Sequence, residues 1–371
     1  MHRLVAPLLF CLALSANAQS VTDYPVNYPG EPSVTTGACH PAPKGSTHEI
    51  TFNANGGNTL WITGQNYDQV VNVAESGAMV YHAMPKGTGP HGIEFDSANQ
   101  LWVTFEFTGE IARLNADGTV AQRIDVGLDC PTCPGGKKIN THPHGMCFAL
   151  DGKTIWFTGK ATGTVGRVTA DGKITTYVLP TVGSVPIYVK PSNDGTMWVT
   201  ELVGNAIARI TADGTVTEFK IPTNNSRPIA IVPEPGTPNT MWFSEEAGNR
   251  VGRIGPDATG NVVITEYPVP MSAANVILAG LAFDSAKNLW VQQYVNQNDP
   301  TPANPSPAGN DFIIRFDKSI VSATDTSKVP VTFYRVPTTQ TVMHRIVQGP
   351  DGNMWFTELG SNKVGKLVPT P

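Results

Sequence analysis

Seven tryptophans, Trp61, Trp102, Trp156, Trp198, Trp242, Trp290 and Trp355, occupy the same place in one unit that recurs along the chain. Its clearest copies read PHGIEFDSANQLWVTFEFTGEIARLNADGTV, PIYVKPSNDGTMWVTELVGNAIARITADGTVTEFKIP and HRIVQGPDGNMWFTELGSNKVGKLV. The successive spacings are 41, 54, 42, 44, 48 and 65 residues, and the longest carry insertions. Self-similarity at such a period marks a repeat architecture, so the 371 residues cannot be divided by a typical domain size.

Each unit resolves into four strands. A first strand such as Gly92-Ile93-Glu94-Phe95 alternates its side chains and ends in a polar turn. LWVT or MWFT is a second, buried strand, and IARL or VGRI a third. Asp-Gly turns at 117–118, 171–172 and 213–214 make the hairpin to a fourth, such as residues 217–221. One such sheet cannot bury both faces, but a ring of them can. The expected fold is all-β, a single seven-bladed β-propeller with four antiparallel strands per blade. Composition agrees. Only 15% of residues are charged, against roughly 25% in an ordinary domain. With 36 glycines and 31 prolines, coiled coils and helical bundles are excluded.

The last unit stops after its third strand, at Gly365-Lys366-Leu367-Val368. Residues 21–27, VTDYPVN, resemble the fourth-strand segment ITEYPVP at 264–270. The N-terminal strand is therefore expected to complete blade seven and hide two sheet edges. Insertions fall at about 126–141, expected to border the channel mouth, and at 296–310 and 318–328.

Residues 1–18 read as a secretory signal peptide, with His2 and Arg3, an apolar stretch and Ala16-Asn17-Ala18. Residues 19–371 are then the propeller domain, expected to be secreted, extracellular and monomeric. No later segment reaches 18 consecutive apolar residues, so no membrane partner is expected. The net charge of −5 and the lack of any Lys/Arg run exclude a phosphate-backbone footprint, and with it nucleic acid. Cys39, Cys130, Cys133 and Cys147 allow three pairings, among which the sequence does not choose. Structural disulfides are expected rather than a redox or zinc site. Asn224 opens the single Asn-x-Ser/Thr sequon, in a turn-rich stretch.

In a propeller the innermost strand of each blade lines the central channel. The position just before its first aliphatic residue reads His48, His91, His144, Ile187, Ile229, Ala279 and His344 in blades one to seven. Histidine thus fills four blades that are contiguous once the ring closes. A single repeated histidine is most simply a structural relic, but four converging imidazoles suit proton transfer or metal binding. Glu201, Glu245 and Glu358 each stand three residues after a tryptophan, a repeated place expected to be structural, with hydrogen bonds from a neighbouring blade. Blade two has Phe105 there and Glu106 one residue later, which turns Glu106 to the opposite face. Lys160, Tyr188 and Arg345 are further candidates for the mouth.

The repeat P-x-G-I…G-x-x-W-F-T-E…N-K-I-G-R-I…G-x-I-T-E-Y-x-L-P resembles the virginiamycin B lyase (streptogramin lyase) propellers over almost the whole mature chain. THEI, PHGI and Trp102-Val103-Thr104-Phe105-Glu106 match the active-site histidines and glutamate of two consecutive blades in order. The resemblance implies His91 as catalytic acid/base, with His48 and Glu106 near a magnesium ion. Where that family carries a metal-binding glutamate before the proline of its second PHGI, this chain has Gly89. Secreted fungal polysaccharide lyases of the L-rhamnose-α-1,4-D-glucuronate lyase type are similar. Both groups remove a proton alpha to a carboxyl carbon and expel a beta oxygen.

The expectation is an extracellular carbon-oxygen lyase acting by β-elimination on a uronic-acid glycan. His91, His144 and Tyr188 would be catalytic, and His344, Arg345 and Lys160 would bind substrate. His48 and Glu106 would hold a divalent cation, magnesium or calcium, and no organic cofactor is expected. The alternatives are a streptogramin B lyase opening a depsipeptide ester, and a non-catalytic propeller binding a sugar or peptide.

Overall fold

The computed structural model describes residues 21–30, 45–53, 59–273, 275–296, 311–339 and 341–369. Residues 1–18, read from the sequence as a signal peptide, Cys39 and most of the 296–310 insertion lie outside them. The described residues form seven four-stranded antiparallel sheets, each in the order of its strands along the chain except at the ring closure. The innermost strands are Thr47–Phe52, Pro90–Phe95, Pro143–Phe148, Pro186–Pro191, Pro228–Pro233, Val276–Phe283 and Met343–Gln348. The outer strand of blade seven is Val21–Pro25, which pairs with Lys363–Leu367 as the sequence predicts. This is the seven-bladed propeller read from the repeat.

The tryptophans lie where one blade packs on the next. Trp198, Trp242, Trp290 and Trp355 are fully buried. Trp242, for example, packs with Leu278, Leu281, Leu289 and Val291 of blade six. In several blades the ring also stacks on an aromatic of its own outer strand, at 5.3 Å for Trp156–Tyr177 and 5.2 Å for Trp242–Tyr267. Aromatic burial of this size is a dominant stabilising term in such an interface.

A second repeated device shapes the channel mouth. Every innermost strand carries a β-bulge near its start; in blade two Pro90 opposes Phe105 and Ile93 opposes Val103. The polar side chain two residues after each tryptophan fits into this bulge. Thr104 Oγ1 accepts from Gly92 N at 2.7 Å and donates to the carbonyl of His144, in the next blade, at 3.1 Å. Thr63, Thr158, Thr200 and Thr357 repeat the link, Ser244 supplies it in blade five and the Gln292 amide in blade six. Side chains thus tie each bulge to the next around the ring, and the bulges aim the residues that follow into the channel.

Cys130 and Cys133 form a disulfide, and Cys147 is a buried free thiol. The bond closes the tip of the blade-two insertion, whose base is held by a Leu128–Ile139 bridge. The insertion ends beside the mouth, where Asn140 donates to the carbonyls of Glu106 and Phe107.

Candidate active site

The four histidines converge. Ring centroids lie 4.9 Å apart for His48–His344, 4.8 Å for His48–His91 and 3.7 Å for His91–His144. His91 has no exposed surface, and His144 is 4% exposed. His144 Nδ1 lies 3.2 Å from the carbonyl oxygen of Ile187. A carbonyl only accepts, so Nδ1 carries the hydrogen and the neutral ring keeps its lone pair on Nε2. Both ring nitrogens of His91 are buried without a protein partner, as are His48 Nδ1 and His344 Nε2.

All four imidazoles are held neutral, with pKa values well below 6.5. Burial is the main cause in each, and the other histidines, Lys160 and Arg345 add repulsion.

Two polar layers flank the arc. Toward the rim, Glu106 accepts from Gln65 Nε2 at 2.6 Å, and Lys160 Nζ lies 3.3 Å from its other oxygen. Residues four positions after Trp61, Trp102 and Trp156 therefore join three consecutive blades. Glu106 is turned away from the position held by its relatives, since Phe105 takes the buried place in the blade core. His142 Nδ1 stands 3.9 Å from the same carboxylate. Deeper in the channel, Arg345 Nε donates to Glu49 at 2.8 Å and its guanidinium lies 4.4 Å from the Tyr188 ring centroid. Lys190 Nζ stands 5.6 Å from that centroid and donates to Glu94 at 2.6 Å. The ladder Glu49–Arg345–Tyr188–Lys190–Glu94 crosses the channel under the histidines.

His48, His91, His144, His344, Glu106 and Lys160 therefore gather at the mouth, while Tyr188 and Arg345 stack together beneath it. Glu49, Gln65 and His142 are contributors that the sequence reading leaves out. Gln65 shares the repeat position of Glu106 and Lys160, and Glu49 follows His48 as Arg345 follows His344. That shared register was the available signal.

Glu201, Glu245 and Glu358 are buried, but each faces an acid of its own blade's outer strand rather than a donor row on a neighbour. Their partners are Glu218, Glu266 and Asp23, and burial followed by these like charges raises each glutamate to about 8. The outer acids reach across instead: Glu218 accepts from Thr181 and Asp23 from Thr338.

The virginiamycin B lyase family model matches residues 135–298. No curated protein sequence matches the chain. A solved streptogramin B lyase is 25% identical, with a TM-score of 0.70 over 94% of this chain and 97% of that one. Virginiamycin B lyase from Staphylococcus aureus is 25% identical, with a TM-score of 0.68 over 94% and 99% of the two chains. The propeller is virginiamycin B lyase-like. A catalytically inactive histidine-to-alanine variant of the S. aureus enzyme, solved with quinupristin, is 26% identical, with a TM-score of 0.69 over 94% and 100% of the chains.

In this lyase-like propeller, the magnesium that the resemblance implies meets a poor set of ligands. His48 and Glu106 fall into different clusters, His48–His91–His344 and His91–Glu106–His144. Both oxygens of Glu106 are engaged by Gln65 and Lys160. At Gly89 a Cβ would lie 2.2 Å from Phe107 Cδ2, so no glutamate fits there without moving that ring. Magnesium and calcium take oxygen ligands, and these residues offer chiefly nitrogen.

Proposed function

We propose that this protein is a secreted, monomeric carbon-oxygen lyase that cleaves a uronic-acid-containing glycan at a chain end by β-elimination. The observation that carries the reading is the His144 ring, neutral and with its lone pair fixed on Nε2. A base of this kind, beside a lysine, suits removal of a proton next to a carboxylate. His144 takes the alpha proton. The electron pair of that C–H bond becomes the new C=C bond as the bond to the beta oxygen breaks. Lys160, partly exposed at the rim, balances the charge that gathers on the carboxylate. Tyr188, kept protonated mainly by burial, donates to the leaving oxygen, and the His144 imidazolium restores that proton through solvent. His91 forms the wall behind His144, and neutral His344 with cationic Arg345 completes the floor that receives the sugar carboxylate.

A streptogramin ester is the second reading, favoured by the likeness to the enzyme solved with quinupristin. The lysine and arginine favour a free carboxylate instead. The test is incubation with rhamnosyl-glucuronate glycans, pectic fragments and a streptogramin B, following the ultraviolet absorbance of a new conjugated double bond. Unsaturated product from a uronate end is expected, with loss of turnover in His144→Ala. Product from the streptogramin alone would establish the second reading. No product from any substrate would overturn both and leave a binding propeller.

A further inference from the structure

We propose that His48, His91 and His344 together bind a divalent transition-metal ion of the zinc class through imidazole nitrogen alone. One ligand atom from each of the three lies within 4.8 Å of the others, a spacing that a single ion can bridge. His91 is completely buried, and neither of its ring nitrogens has a protein partner. His48 Nδ1 and His344 Nε2 are buried and unpartnered in the same cluster. Unpaired buried polar atoms are rare in native proteins, and each is costly to leave without a partner. His91 Nδ1 and His344 Nε2 face Glu49, which leaves His91 Nε2 and His48 Nδ1 without a partner and open to a shared ion. A neutral imidazole nitrogen of this kind is the form that coordinates a metal.

A carboxylate stands behind two of these rings. Glu49 Oε1, itself unpartnered, lies 3.4 Å from His344 Nε2 and 3.9 Å from His91 Nδ1. It faces the N–H that His344 retains when its other nitrogen binds the ion, with His91 Nδ1 just beyond hydrogen-bond reach, and Arg345 fixes it from the far side. The choice of metal follows from the donors. Three neutral imidazoles favour zinc, cobalt, nickel or copper over magnesium and calcium. His344 comes from the last blade, outside the pair that the resemblance marks for a cation. His48 and His344 are only partly buried, so the ion would keep an open position toward the mouth.

The test uses spectroscopy on the full mature chain after chelator treatment, and does not depend on the lyase reading. Titration with Co2+ is expected to give the visible d–d absorption of a low-coordinate imidazole site, displaced by Zn2+ but not by a thousandfold excess of Mg2+. The band should disappear in His48→Ala and His344→Ala and persist in Glu106→Gln. Glu49→Gln should weaken binding about 10–100-fold. Because an alanine variant can fail to fold, Cu2+ on the unaltered protein supplies a second measurement. Its electron paramagnetic resonance spectrum should show three equatorial nitrogens. Absence of the cobalt band, displacement by Mg2+, a band retained in a folded His344→Ala variant, or fewer than three nitrogens would each overturn the proposal.

Discussion

Phe107 fills the space that a side chain at Gly89 would need: a Cβ there would lie 2.2 Å from Phe107 Cδ2. The left-handed backbone of Gly89, with φ of 58°, is not the decisive constraint. His142 and Val185 hold the same place in the next two blades with φ of 50° and 55°. Gly89→Ala should therefore destabilise the protein by about 1–3 kcal/mol through overpacking. Phe107→Ala should recover much of that loss, giving a coupling in a double-mutant cycle by urea unfolding. If Gly89→Ala costs the same in both backgrounds, the ring is not what excludes a side chain.

Thr104 joins the bulge that carries His91 to the backbone of His144. Thr104→Val keeps the shape but leaves the Gly92 N–H and the His144 carbonyl short of a partner. A loss of about 1–3 kcal/mol is expected in chemical denaturation. Turnover should fall as well, since the bulge aims the histidine. Thr104→Ser, which retains the hydroxyl, should restore most of both. Equal behaviour of the valine and serine variants would show that the hydroxyl is dispensable.

Stability should peak near pH 6.5. Glu201, Glu245 and Glu358 have folded values of about 8, above the ordinary 4.5. The folded state binds the extra protons, so their stabilisation is complete below the unfolded value and is lost as pH rises through about 8. The four arc histidines act in the opposite sense. Their folded values lie well below 6.5, so stability is lost as pH falls below 6.5 and the unfolded chain takes up protons. Above 6.5 the glutamates act alone, each on the order of a few kcal/mol in all. Melting temperature measured from pH 5 to 9 should show both limbs. The triple variant Glu201→Gln/Glu245→Gln/Glu358→Gln should flatten the alkaline one, and an unchanged alkaline limb would count against the acid pairs.

The parts of this architecture that were legible in the sequence are those written in the repeat itself. One tryptophan per unit numbers the blades, and VTDYPVN at the N-terminus marks the closing strand because it copies an outer strand. The histidine arc is visible because residues in equivalent register converge at the channel. Glu106 stands out because a shift of one residue reverses a strand's side chain. The contacts between blades were harder to see. Gln65 and Glu106 are 41 residues apart and meet only once the ring exists. The threonines that tie the bulges looked like background because nearly every blade has one. Pairing of Cys130 with Cys133, leaving Cys147 buried, depended on where the insertion folds.

The acid limb of the activity profile should report the base directly. His144 is depressed well below 6.5 by burial first and then by repulsion from the neighbouring His91, Lys160 and Arg345. Its lone pair is the reactive form, so activity should hold from neutral pH to well below 6.5 before falling. An ordinary exposed histidine would lose activity at about 6.5. His144→Gln should lower kcat by about 10²–10⁴-fold with little change in KM, the range expected for a positioned general base. Lys160→Met removes a neighbouring positive charge, so it should move the acid limb to higher pH while raising KM for the uronate. A limb that stays in place in Lys160→Met would show that this ammonium does not face the base. A full rate in His144→Gln would move the base to another ring of the arc.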